Sequence, residues 1–593
     1  MHLSRSRIIQ IIFILSMLVF MVRLFFIQVL SSEYGAVAEK NIVQRIEQYP
    51  CRGSIYDRNQ QLLVANEPIY DLWIVPNAVQ GIDIGDFCGM FNISEAVFQK
   101  RLKQAKQFSA IQPSVFMKDI DHYELARIQE QLVDYPGFYI KARTVRHYCY
   151  PSLANTFGYL GEINSKQLVS TRYHGYKKGD FIGVSGLEAQ YERWLSGSRG
   201  IQYKIIDAKG KEKGVFKNGK LDVCCEPGKD LVISIDIDLQ VYGEMLLANK
   251  KGSIVAIEPA TGQILAIVAS PSYDPKRLAT NTMKQHFVVL EQDPDCPLFH
   301  RPIMAMHPPG SIFKLVQALI GLQEQVIVPS ARCACNKKVV NCHVHPSPVN
   351  LHQAIQYSCN PYFYHVFRSI INQKVVKNTY ADTCMGLKKW TNYVRGFGLG
   401  MPLGIDVPYE KGGYVPDTHL YDAKYGVGRW QHSTIRSLDI GQGELLITPL
   451  QMANLAVIIA NKGFYYTPHL ALEQDIGVQK HVVDIEENYF DLVVHAMQAV
   501  VASGSGSRAR VKGITVCGKT GTVENLHGKD HAVFMGFAPM EKPQIAIAVY
   551  VENAGWGARS AAAIAGLMIE KYLKKVVARK GMEAYVLKGD FGD

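Results

Sequence analysis

The sequence predicts an α+β multidomain protein in three parts: one N-terminal membrane helix, a mixed segment of short strands and helices, and a C-terminal unit built on an antiparallel sheet flanked by helices. Three observations carry this. Residues 8–30 are almost uninterruptedly apolar. Residues 31–229 follow no single hydrophobic period. From Asp230 onward, strand-like apolar runs lie at both ends of the region with helical stretches between them, so one sheet is closed late in the chain. A length of 593 residues suits roughly three domains. A hydrophobic content of 48% with 20% charged residues is ordinary for a folded chain. The net charge of +11 is scattered and no recognition helix or RNA-binding pattern goes with it, which argues against nucleic acid and for an anionic membrane or wall surface.

The elements follow in order. Residues 1–7 read as a cytoplasmic N-terminus, because His2, Arg5 and Arg7 precede the apolar run. Residues 8–30 are long enough for one spanning helix of ~20 residues, with Arg23 in its outer third placed to snorkel. The alternative is a cleaved signal peptide, for which Ala36-Val37-Ala38 resembles a cleavage site, but the run exceeds a signal core of ~7–15 residues. An uncleaved anchor puts the remaining chain outside the cytoplasm. Residues 31–229 then form a pedestal, with strands expected at 70–75 and 202–206, helices at 93–106 and 121–133, and a glycine-rich loop at 175–186. Residues 230–576 form the third part. Strands are expected at 231–235, 253–257, 263–269, 532–537 and 544–551, with helices at 238–249, 311–323 and 559–575. Residues 577–593 read as a C-terminal tail, loose from 581 onward.

Chemistry concentrates at three short motifs. In Pro308-Pro309-Gly310-Ser311-Ile312-Phe313-Lys314, the Ser and Lys share one helix face, so the amine can reach the hydroxyl, and Ser311 falls where free helix N–H groups favour negative charge. Alone, such a pair is more often an ordinary exposed helix face. Ser358-Cys359-Asn360 and Lys519-Thr520-Gly521-Thr522 follow it, each pattern occurring once and in that order. Acyl transfer needs an activated hydroxyl, a proton shuttle, and donors for the oxyanion and a substrate carboxylate, and this set supplies all of them.

With these motifs the chain resembles the class B penicillin-binding proteins, the monofunctional peptidoglycan D,D-transpeptidases, and within them the elongation-type penicillin-binding protein 2 branch. Arg52-Gly53-Ser54-Ile55-Tyr56-Asp57-Arg58, Gly158-Tyr159-Leu160-Gly161, Ser185-Gly186-Leu187-Glu188, Gly441-Gln442-Gly443 and Asp530-His531-Ala532 extend the likeness over nearly the whole chain. The resemblance implies a β-lactamase-like transpeptidase domain on a pedestal. It implies that Ser311 is acylated, that Lys314 is the base, that Ser358 relays a proton to the leaving D-Ala nitrogen, and that Asn360 holds Lys314 and the substrate amide. Lys519 would keep the site electropositive. Thr520 and Thr522, flanking Gly521, would bind the terminal carboxylate, and the N–H groups of Ser311 and Thr522 would form the oxyanion hole. Whether Lys314 takes the first proton directly or through Ser358 stays open. β-Lactams would be trapped as the same adduct. Stem peptides are the implied substrates. With no glycosyltransferase domain evident, a separate SEDS-family membrane glycosyltransferase and the elongation machinery are the implied partners. A division-type enzyme, a β-lactam-sensing receptor and a β-lactamase are the alternatives. A deacylating Glu is not evident, and only seven residues precede the span.

Twelve cysteines outside the cytoplasm invite disulfides. Four of them cluster in sequence with histidines: Cys333-Ala334-Cys335, Cys342-His343-Val344-His345, and Cys359 inside the second motif. Thiolates with imidazole suit tetrahedral zinc. Some elongation-type relatives resemble this in carrying zinc near the second motif, although with mixed Asp, His and Cys ligands. The expected ligands are Cys335, Cys342, His345 and Cys359 for one structural zinc ion, with Cys333 and His343 as substitutes. A disulfide from Cys333 or Cys335 to Cys342 is the alternative.

Overall fold

The computed structural model describes residues 5–30, 43–206, 212–279, 282–472, 477–525, 527–589 and 591. The start of the predicted cytoplasmic segment and the Ala36-Val37-Ala38 site lie outside the described residues. The chain forms two compact units, Met1–Gly53 with Arg193–Lys229, and Ser54–Glu192 with Asp230–Asp593. The predicted pedestal segment contributes to both.

In the first unit, the helix Arg5–Phe25 runs into a π-helical turn at Phe26–Leu30. Across the helix and this turn, Arg7–Gln28 is a 22-residue candidate membrane span of mean hydropathy 2.5, none of it buried against protein. Its apolar side chains need a non-aqueous surrounding, and a helix is the one single-segment structure that satisfies every backbone group there. A three-stranded antiparallel sheet, in the order Val43–Gln48, Gly200–Ile206, Glu212–Val215, completes the unit and contains the strand expected at 202–206.

In the second unit, a 13-residue strand, Leu62–Ile74, pairs with both Ser114–Ile120 and Phe138–Tyr148. The strand expected at 70–75 is only its end. Phe87, Phe98, Phe116 and Phe138 pack edge-on and tilted beneath it. The helix expected at 93–106 is Glu95–Phe108, started by the Ser94 side chain accepting from Val97 N–H. The helix expected at 121–133 breaks after His122–Ile128 into a 3-10 turn, Gln131–Asp134. The loop expected at 175–186 is corrected in part, because Phe181–Gly183 pairs with Leu160–Glu162. Gly183 here admits a close backbone approach: a Cβ would lie 2.0 Å from Glu188 O. Buried Asp57 accepts from the N–H groups of Asn59 and Gln61, both at 2.8 Å, and of Ile237 at 3.4 Å. That network ties Ile55–Tyr56 in parallel to Leu231–Val232, all that forms of the strand expected at 231–235.

The sheet that carries the motifs has five strands: β1 (Gly252–Ile257), β2 (Ile264–Ser270), β3 (Cys517–Val523), β4 (His531–Ala538) and β5 (Ile545–Val551). They are antiparallel in the order β2-β1-β5-β4-β3. The helices used below are α1 (Lys314–Gln323), α2 (Asn360–Ile371), α3 (Pro449–Ala460), α4 (Glu487–Ser503) and α5 (Ala561–Lys574). Ile254, Ala256, Ile547 and Val549 join one core with α5 and the helix Ile237–Leu246, while α3 also packs on β1, β4 and β5. With helices on both faces the strands read as continuous apolar runs rather than alternating ones. The tail expected to be loose is a helix, Lys580–Lys588, whose Val586 is fully buried and whose Met582 and Tyr585 pack on the same core.

Candidate active site

Ser311 sits on a 3-10 turn, Gly310–Phe313, that leads into α1. The predicted 311–323 helix is therefore right in extent but begins in a tighter coil. Gly310 has φ of 58°, and a Cβ there would meet Thr522 O and Val523 Cγ2 at 3.0 Å, so glycine lets the turn press against β3. Gly310 N–H donates to Gly441 O at 2.8 Å. Gly441 (φ 70°) has equally little room: a Cβ would stand 2.4 Å from Gly310 O. Ser311 is half-buried on the turn that packs against β3, while Lys314 on α1 is fully buried.

The i, i+3 argument expects the Lys314 amine on Ser311. The three hydrogen bonds of Lys314 Nζ go elsewhere: to Ser358 O at 2.9 Å, Ser358 Oγ at 3.2 Å and Asn360 Oδ1 at 2.6 Å. Lys519 Nζ, also fully buried, donates to the same Ser358 Oγ at 2.9 Å and to Thr520 O at 3.0 Å. Ser358 thus lies between two lysine amines. It does so from the left-handed region, φ 57°, a conformation that costs a non-glycine residue ~1–2 kcal/mol. Asn360 opens α2, and its Nδ2 donates to Asn341 O at 2.8 Å.

Burial lowers the proton affinity of Lys314 to about 8 against the opposing influence of Cys342, Asp439 and Cys359. Burial, then the charge of Lys314, lowers Lys519 well below an ordinary lysine. Two ammonium groups on one hydroxyl are unfavourable, so the arrangement favours one amine and one ammonium. The remaining motif residues gather at β3. Thr520 Oγ1 lies 2.6 Å from Ser505 Oγ, Thr522 Oγ1 accepts from Gly557 N–H at 3.4 Å, and Gly521 comes close enough to Pro309 O that a Cβ would be 3.2 Å away. Three residues that the sequence does not single out complete the surroundings: Ser505 after α4, Asn341 through its carbonyl, and Asp439, a buried acid raised to about 7 by burial.

The four predicted metal ligands converge. One ligand atom each from Cys335, Cys342, His345 and Cys359 lies within 4.8 Å of the others, and Cys342 Sγ is 3.5 Å from His345 Nε2. Tetrahedral Cys/His ligation sets ligand atoms ~3.5–3.8 Å apart, so this pair already has the required spacing. His345 Nδ1 meets Pro346 O at 2.7 Å, which turns Nε2 toward the thiols as in metal-bound histidines. The donor set therefore fits a soft metal ion. Cys333 and His343, the expected substitutes, fall outside it, and none of the twelve cysteines is in a disulfide. The thiols are unequal: the hydrogen bond between Cys342 and Cys359 drives the Cys342 thiol far below its usual value and the Cys359 thiol above it. Asn360 N–H donates to Cys342 Sγ at 3.5 Å, so the cluster and the Ser358–Asn360 motif share a backbone contact as well as Cys359 itself.

Comparisons with known proteins agree with this geometry. Residues 252–570 match the family model described as penicillin binding protein transpeptidase domain, and residues 47–233 match the penicillin-binding protein dimerisation domain. The chain is 30% identical to the peptidoglycan D,D-transpeptidase MrdA of Acinetobacter baumannii over 89% of its length and 81% of the relative's. It is 26% identical to MrdA of Escherichia coli K12, covering 89% and 87% of the two chains. Among solved structures, PBP2 of Helicobacter pylori in complex with MreC aligns with a TM-score of 0.74 at 23% identity, over 90% of this chain and 99% of that one. PBP2 of Pseudomonas aeruginosa in complex with WCK 5153 aligns at 0.62 and 27% identity, over 88% and 96%. The chain belongs to the penicillin-binding proteins, with a dimerisation domain followed by a transpeptidase domain.

Proposed function

We propose that this protein is a serine-type peptidoglycan D,D-transpeptidase that cross-links stem peptides during cell-wall elongation and is acylated by β-lactams at Ser311. The observation that carries it is Ser358 Oγ held at 3.2 Å and 2.9 Å from Lys314 and Lys519 beside the Ser311 turn. The Ser311 hydroxyl attacks the carbonyl of the penultimate D-Ala, and its proton ends on the neutral Lys314 amine. Because that amine is hydrogen-bonded to Ser358, we assign Ser358 the relay: a neutral lysine donates to Ser358 O and Asn360 Oδ1 and keeps its lone pair for the Ser358 hydroxyl. With the substrate carboxylate bound beside Thr520, Lys519 is the ammonium that donates to Ser358 Oγ, against the burial that lowers it in the free site. The N–H groups of Ser311 and Thr522 face the oxyanion, and Thr520 and Thr522 hold the terminal carboxylate. Collapse expels D-Ala, whose nitrogen takes the proton back through Ser358. The amine of a second stem peptide then attacks the Ser311 ester and releases the serine.

Fluorescent penicillin labels the wild type stably and leaves Ser311→Ala unlabelled at unchanged thermal stability. A labelled Ser311→Ala refutes the assignment, and rapid loss of the wild-type adduct favours a β-lactamase. The N-terminal helix anchors the protein in the cytoplasmic membrane with its catalytic domain on the periplasmic side. The membrane partner is a glycosyltransferase of the SEDS family. A complex with MreC and a peptidoglycan synthase complex are among the structures this fold matches. Depletion in the host gives round cells, whereas filaments would assign the enzyme to division.

Cys335, Cys342, His345 and Cys359 hold one structural zinc ion, which supplies rigidity to the segment carrying Ser358 and Asn360. Metal analysis of the detergent-purified full chain finds about one zinc per chain and none in Cys342→Ser. Metal-free wild type that acylates normally overturns this.

A further inference from the structure

Residues 438–441 run alongside residues 310–317, clamped at both ends. Gly310 N–H donates to Gly441 O at 2.8 Å, and Gln317 Nε2 donates to Leu438 O at 3.0 Å. Between the clamps lies Lys314 on one segment and Asp439 on the other. Asp439 is 2% exposed, and its Oδ2 has no hydrogen-bond partner among the described residues. A buried carboxyl with a bare oxygen is costly unless it is protonated or faces a cation. The cations whose charge reaches it are Lys314, carried on the helix turn across the clamp, and Arg436 on its own turn. The charges that reach Lys314 in return are those of Asp439, Cys342, Cys359 and Lys519, while its hydrogen-bond partners Ser358 and Asn360 are uncharged.

We propose that Asp439 is a positioning residue for Lys314: its carboxyl, clamped beside the helix turn that carries the amine, sets how readily that amine holds a proton. The inference rests on Lys314 being the base. Ionised Asp439 retains the Lys314 ammonium, whereas protonated Asp439 releases the amine. The exchange is balanced within the pair, ammonium plus carboxylate becoming amine plus carboxylic acid.

The test is the pH profile of the second-order acylation constant with fluorescent penicillin, on full-length protein of measured and equal metal content. Removing the acid's charge lowers the proton affinity of Lys314, so the acidic limb of Asp439→Asn moves down by about half a unit or more, read as a gain of about threefold on the acid side relative to its own plateau. Asp439→Glu keeps the limb in place. Asp439→Ser, a second neutral variant, gives the same downward shift should the Asn variant misfold. Neutral variants whose limb stays within about 0.2 unit of wild type overturn the proposal, whatever happens to the plateau, because a packing role moves only the plateau. Lys314→Ala that still acylates at the wild-type rate overturns the reading of the base instead, so the two failures are distinct.

Discussion

Asn360 is the residue on which the geometry makes the sharpest demand. Its Oδ1 takes the shortest of the Lys314 hydrogen bonds, 2.6 Å, while its Nδ2 is fixed on Asn341 O at 2.8 Å. Asn360→Ala leaves Lys314 with its two bonds to Ser358 and removes one bond to a charge-bearing group in a fully buried site. Such a bond is worth ~1.5–3 kcal/mol. At ~1.4 kcal/mol per tenfold, acylation falls by about 10- to 150-fold. Asn360→Asp separates the electrostatic from the geometric part. It keeps an acceptor for Lys314, loses the donor to Asn341, and adds a negative charge beside an amine that burial has lowered to about 8. An opposite charge at this range raises the proton affinity by ~1–3 units, so the neutral amine becomes scarcer at neutral pH and the acidic limb moves up. The assay is the acylation constant measured across pH with fluorescent penicillin, with thermal melting as the control for folding. An Ala variant within threefold of wild type refutes the role given to Asn360. An Asp variant whose limb stays or moves down refutes the neutral-base reading of Lys314.

Two further predictions concern stability. Arg146 and Glu188 form a salt bridge of 2.7 Å between side chains only 2% and 0% exposed, so Arg146→Ala takes the guanidinium away from a buried carboxylate and costs ~3–5 kcal/mol in denaturant unfolding. A loss under ~1 kcal/mol contradicts this, and Arg146→Met with Glu188→Leu should recover most of it. Glu324 is pushed up by burial, but hydrogen bonds from Lys389, Gln373 (3.0 Å) and Tyr393 (2.7 Å) outweigh that and hold it below the usual carboxylate range. Its contribution is therefore present above the unfolded-state value and lost as pH falls through the lowered one. Glu324→Gln melts below wild type at neutral pH, and the gap closes as acid protonates the wild-type carboxylate; a gap that persists in strong acid would count against the assignment.

The motif residues were legible because chemistry restricts both their type and their spacing. Lys314, Ser358, Asn360 and Lys519 do come together in hydrogen bonds, with the Ser311 turn packed against β3, and so do the four soft ligands, since thiols and imidazole seldom crowd within a few residues without cause. The strand that carries Lys519 was not legible: Gly518, Thr520 and Gly521 interrupt any apolar pattern, and β3 is a strand because it pairs with β4 and accepts the Gly310 turn against its edge. The proton path stays open in the sequence for a related reason. Neighbourhood along the helix puts Lys314 next to Ser311, whereas packing of α1 against α2 puts its amine on Ser358 and Asn360. Asp439 shows the limit most clearly. An acid in Arg436–Ile440 looks like any surface turn, and only the two clamps to Gly310 and Gln317 bury it beside the base. Spacing along a chain can name the groups that react, but the proton affinity of a base is set by whatever tertiary contacts bury it. Residues that tune such a base therefore leave no local motif, and they have to be sought among buried groups with unspent hydrogen-bonding capacity around a site that spacing has already found.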